Sequence, residues 1–91
     1  MTIFAVIRQP GDNQVRLEPA VKGLFPNHYD VGNGVWLISA GPTAKDVSDR
    51  LQVTDGTNGS AIVVEVGSYF GRANPAIWTW LKSNWGANTV G

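Results

Sequence analysis

His28-Tyr29-Asp30-Val31-Gly32-Asn33-Gly34-Val35-Trp36-Leu37-Ile38-Ser39-Ala40 is the stretch on which the fold of this chain turns. Two strand-forming runs, His28 to Val31 and Val35 to Ala40, flank Gly32-Asn33-Gly34. Glycine and asparagine accept positive φ, so the triplet signals a tight hairpin. Upstream, Ala20, Val21, Leu24 and Phe25 recur at three- and four-residue spacing and form one apolar stripe of a helix that Pro26-Asn27 ends. Val15-Arg16-Leu17 reads as extended or as a first helical turn. Proline is tolerated at the first helical position and disruptive further in, so Pro19 sets the helix start near Glu18. Before it, Ile3 to Ile7 is a β-rich run stopped by Pro10-Gly11-Asp12-Asn13.

Downstream of the hairpin, Thr43-Ala44-Lys45-Asp46 resembles a capping box, with Asp46 in place of the usual Glu. The helix it opens sets Val47 and Leu51 one turn apart. Thr54 to Gly59 is a loop, and Ala61 to Val66 is the most continuous β-branched run in the chain. Asn74-Pro75 then gives a cap followed by proline at the first helical position, opening a helix through Ile77, Trp78, Leu81 and Trp85. Gly86 stops it, leaving residues 1–86 as one domain and 87–91 as a loose tail. The order strand, helix, strand, strand, helix, strand, helix predicts an α+β fold. The expected arrangement is a ferredoxin-like split β-α-β domain (β-α-β-β-α-β) with a four-stranded antiparallel sheet and an extra C-terminal helix.

Strand side chains alternate between faces. Ile3, Ala5 and Ile7 oppose Phe4 and Val6; Val35 and Leu37 oppose Trp36 and Ile38; Ala61 and Val63 oppose Ile62, Val64 and Val66. Both faces are therefore apolar, and two crossover helices cover only one. Leaving the other wet forfeits about 25 cal/mol for each Å² of apolar surface. The third helix folding back, or a second chain, must lie there, since contiguous apolar patches of that size are uncommon on monomers.

Composition narrows the function classes. The 91 residues are 43% hydrophobic and only 15% charged, below the ~25% of an average domain. Seven basic side chains balance seven acidic ones, which gives no long-range field toward nucleic acid or anionic lipid. With no cysteine there are no disulfides, thiolate metal sites or cysteine nucleophiles. The first apolar run is too short for a signal peptide or membrane span, so the expectation is a cytoplasmic protein with no membrane partner and no cofactor. Asn58-Gly59-Ser60, a glycosylation pattern, reads here as a turn.

Few residues suggest chemistry. His28 and Asp30 share a strand face, but with no third ligand nearby a surface histidine is the simpler reading. Gly32-Asn33-Gly34 precedes a strand and opens no helix, so it is no nucleotide fingerprint. Gly67-Ser68-Tyr69-Phe70-Gly71-Arg72 leaves a strand and enters the helix capped by Asn74, which places Gly71, Arg72 and Asn74 to cradle an anion. A P-loop's Lys-Ser or Lys-Thr is missing, and a plain connection with glycine for positive φ accounts for the same residues. Tyr69 and Phe70 suit base stacking or anchoring of the last helix. Asp46, Asp49, Asp55 and Glu65 form no recognisable carboxylate cluster, and Glu65 reads as a sheet-edge charge. Of the four tryptophans, Trp78 lies in the last helix's stripe and is expected buried. Trp80, at the stripe's edge, is the expected interface residue.

Trp36-Leu37-Ile38, then Thr43 to Leu51, Ile62 to Val66 and Trp80-Leu81-Lys82 together resemble the pattern of small Cas-two-like proteins of the SinR type. The likeness covers roughly the last two-thirds of the chain and rests on element order. It implies a dimer, and in some members a metal-dependent nuclease with an Asp at the end of strand one. Here that strand ends Arg8-Gln9-Pro10, and Asp12 lies beyond the proline. The leading expectation is therefore a non-enzymatic protein acting as a homodimer or docking module. The alternative is a metal-dependent nuclease of that type, with Asp12 as metal ligand and Arg72 on phosphate, or a protein that binds nucleic acid without cutting it.

Overall fold

Strand β1 (Thr2–Gln9) divides its side chains between two cores. Phe4 and Val6 enter one, Ile3 and Ala5 the other, as period-2 alternation requires. The computed structural model describes residues 2–10, 16–68 and 71–85. β1 pairs with β3 (Val35–Ala40) on one side and β4 (Ser60–Glu65) on the other. β2 (His28–Gly32) lies beyond β3, giving the order β2-β3-β1-β4 with every neighbouring pair antiparallel. With three helices the protein is α+β around a four-stranded antiparallel sheet.

The hairpin between β2 and β3 is the one Asn33-Gly34 dictates. Gly32 pairs with Val35, and Asn33 (φ 55°) and Gly34 (φ 79°) both sit at positive φ, the two-residue turn whose twist matches the strands. The Gly34 carbonyl accepts from the Arg8 N–H at 2.8 Å, tying the turn to β1. β2 is interrupted by a bulge between Asp30 and Gly32, where the Asp30 carboxylate accepts from the Gly32 N–H at 2.9 Å.

Helices α1 (Leu17–Leu24) and α2 (Ala44–Arg50) cover the first face. Leu17, Val21, Val47 and Leu51 are fully buried there against Phe4, Val6 and Ile38. The Thr43 hydroxyl caps α2, accepting from the Asp46 N–H at 3.1 Å, which is the forward half of the expected capping box. α1 starts earlier than expected, placing Pro19 third in the helix. The first turn has no intrahelical N–H bonds to lose, so proline fits there too. Leu24, expected in the apolar stripe, is 41% exposed. The chain leaves helical geometry at Phe25, whose ring takes the core position and lies 4.8 Å beneath the Arg50 guanidinium.

Helix α3 (Pro75–Trp85) covers part of the second face, where Leu81 meets Ile3 and Leu37. Of the two expected ways to cover that face, the third helix accounts for the part over Ile3 and Leu37. Trp78, expected largely buried, is only partly so. On the wheel Leu81 lies between Ile77 and Trp85, while Trp78 falls about 60° to one side. The smaller Leu81 is the anchor. The expected helix stop at Gly86, the 1–86 domain limit and the 87–91 tail lie outside the described residues.

Candidate interaction surface

The second face of the sheet is covered unevenly. α3 packs toward β1 and β2, where the Trp80 ring meets Tyr29 at a centroid distance of 6.4 Å and a tilt of 44°. The Asn84 amide donates to the Trp80 carbonyl at 2.8 Å, and the Asn27 amide donates to the Asn84 side-chain oxygen. The Asn27 carbonyl in turn accepts from the Ser39 N–H at 3.1 Å, so α3 is strapped to the chain entering β2. Trp80 is partly covered, as its place at the stripe's edge predicts.

At the other edge the face is open. Ile62 and Val64 on β4 are 49% and 41% exposed. Ile62 pairs across β1 with Ile7, which pairs with Val35 on β3, so three aliphatic side chains make one row. Ile7 and Val35 are only partly buried. Ile62 and Val64 are apolar surface that α3 leaves open, with Ile7 and Val35 partly covered beside them. Alternation alone puts these side chains on the second face, but it does not say how far α3 reaches across it.

The residues expected to carry chemistry are dispersed. Asp12, Tyr69 and Phe70 lie outside the described residues. Gly71 (φ 149°) and Arg72 are exposed, and Asn74 spends its side-chain oxygen on capping α3, accepting from the Ala76 N–H at 2.9 Å. His28 and Asp30 do not pair: the His28 Nδ1 lies 2.7 Å from the Phe25 carbonyl, and Asp30 is turned to Gly32. No three His, Asp or Glu side chains converge among the described residues.

Among the described residues two carboxyls are shifted. Asp49 is held below the usual carboxylate range by the Lys45 ammonium at 2.8 Å and by the Thr54 hydroxyl. Asp55 is held down by hydrogen bonds from Thr57, whose N–H lies 2.9 Å from its carboxylate. The first pairs within α2 and reaches the loop at Thr54, the second stays within that loop, and both effects are screened by water.

No protein-family model, no curated protein and no solved structure matches the chain. No helix among the described residues is long and apolar enough to cross a membrane.

Proposed function

We propose that this protein is a cytoplasmic split β-α-β domain of the ferredoxin-like kind that works by associating with itself, not by catalysis. The strand order β2-β3-β1-β4, with helices α1 and α2 on one face, supports the fold reading. One observation carries the functional reading: an apolar strip containing Ile62 and Val64 stays open to water beside the helix that covers the rest of its face. A chain of 91 residues has a small core, and burying that strip in a partner recovers stability the single copy forgoes. The Cas-two-like resemblance agrees with a dimer.

Sedimentation velocity over a dilution series tests this. The mass is expected to rise from 9.8 kDa toward twice that value in the micromolar range. A mass fixed at 9.8 kDa throughout overturns self-association.

A further inference from the structure

We propose that a second copy joins through the outer edge of β4, antiparallel to it, about a two-fold axis at Val63, making one continuous sheet across the pair. This deepens the self-association proposed above and rests on it. The backbone register gives the first reason. The Val66 N–H points inward to the Ile3 carbonyl at 2.9 Å, and hydrogen-bonding direction alternates along an antiparallel strand. Val64, Ile62 and Ser60 therefore also bond inward, while Ala61, Val63 and Glu65 offer their N–H and C=O groups outward. Among the described residues no strand takes them up. An axis on Val63 pairs Val63 with itself and Ala61 with Glu65 of the other copy, about six hydrogen bonds. An axis on Ile62 or Val64 pairs only Ala61 with Val63, or Val63 with Glu65, about four within the strand.

Side chains select the same register. Opposite Ile62 stands Val64 of the second copy, so the two most exposed aliphatics of the strand cover one another on the α3 side. On the other side Glu65 stands opposite Ala61, not opposite its own copy, and like charges stay apart. Ala61 is the cross-strand partner of Arg8. Glu65 of one copy and Arg8 of the other are then two strands apart, about 10 Å between Cα atoms with only a methyl group between, within reach of two long side chains. Among the described residues neither makes an ion pair; the pairs there are Lys22–Glu18 and Lys45–Asp49. Arg8 now rests against Gly34 and turns toward Ala61 on assembly. The two edges of the sheet also differ. β2 carries a bulge beside Asp30, which blunts pairing, whereas the Ser60–Glu65 register runs unbroken without proline or lysine.

The chain's lack of cysteine makes cross-linking clean. Ile62→Cys and Val64→Cys variants are prepared separately, mixed reduced, and oxidised mildly. The mixture is expected to give a disulfide-linked pair. Each variant alone should not, because its two cysteines lie diagonally, about 7–8 Å apart, too far to bridge. An Ile62→Lys/Val64→Lys variant, changed only at exposed positions, should keep the native circular dichroism and sediment at half the native mass. Dimeric native protein with no preferential cross-link in the mixture, or a Lys variant that stays dimeric, overturns the β4 edge while leaving self-association standing. A native protein that is monomeric throughout overturns both.

Discussion

Trp36 lies 3% exposed on the α1/α2 side of the sheet, and among the described residues its indole N–H meets no acceptor. An unmet buried donor costs about 1–3 kcal/mol, so the ring stays for its volume and not for its nitrogen. Trp36→Phe removes the donor and keeps most of the packing. Stability should be unchanged or raised by up to about 1 kcal/mol, against the loss expected when a core residue shrinks. Urea melts measure it, and a loss above about 2 kcal/mol would mean the nitrogen is bonded. Alternation placed Trp36 opposite Leu37 and hence inside, but whether its N–H finds a partner depends on distant chain segments that no local pattern encodes. Asp49 and Asp55 behave in the opposite sense. Their carboxyls are held low in the folded chain by Lys45, Thr54 and Thr57 and return to ordinary values on unfolding. The stability they lend is present above the ordinary carboxylate range and is lost as pH falls through the lowered folded-state values. The melting temperature should drop along that acid limb, and drop less steeply in an Asp49→Asn/Asp55→Asn variant. An unchanged slope would show that these contacts do not survive in solution.

The hairpin and α1 respond to the same substitution with opposite signs. At Gly34, φ is 79° and an added Cβ would lie 2.9 Å from the Arg8 Nε, so Gly34→Ala strains both backbone and neighbour. A left-handed non-glycine residue costs about 1–2 kcal/mol, and thermal melts should show a loss of at least that size. Gly23 sits inside α1 with nothing within 4 Å of an added Cβ. Gly23→Ala there should stabilise by about 0.5–1 kcal/mol, chiefly by restricting the unfolded chain. Equal effects at the two sites would contradict the backbone geometry of both. The hairpin was legible because Asn33-Gly34 leaves few other turns open. The start of α1 was not, since proline suits any position of a first turn and Val15-Arg16-Leu17 has no cap signal to choose between them. Arg16 stands at the N-cap and its side chain makes no capping hydrogen bond, so the cap residue itself does not mark that boundary.

At the scale of the molecule, one sheet separates two cores of unequal size. The α1/α2 side buries a large contiguous set including Phe4, Leu17, Val21, Ile38, Val47 and Leu51, whereas among the described residues the buried set on the α3 side is Ile3, Leu37 and Leu81. The two apolar faces were readable from the strands; which element covers the second was not, because a helix and a partner chain bury the same side chains equally well. The structure divides the answer, with α3 over Ile3 and Leu37 and open surface at Ile62 and Val64. A cover held by so few buried contacts should open before the rest unfolds. Native-state hydrogen exchange is therefore expected to rank α3 amides below those of the central strands β1 and β3. Leu81→Ala removes the anchor, a change that costs about 2–5 kcal/mol for a buried leucine. The loss should fall mainly on α3, leaving the Phe4, Val6 and Ile38 amides with most of their protection. Trp80→Ala, which removes a half-covered ring packed on Tyr29, should loosen α3 by less. If Leu81→Ala lowers protection equally at every amide, the two faces unfold as one unit, and α3 is part of the foundation and not a cover laid over it.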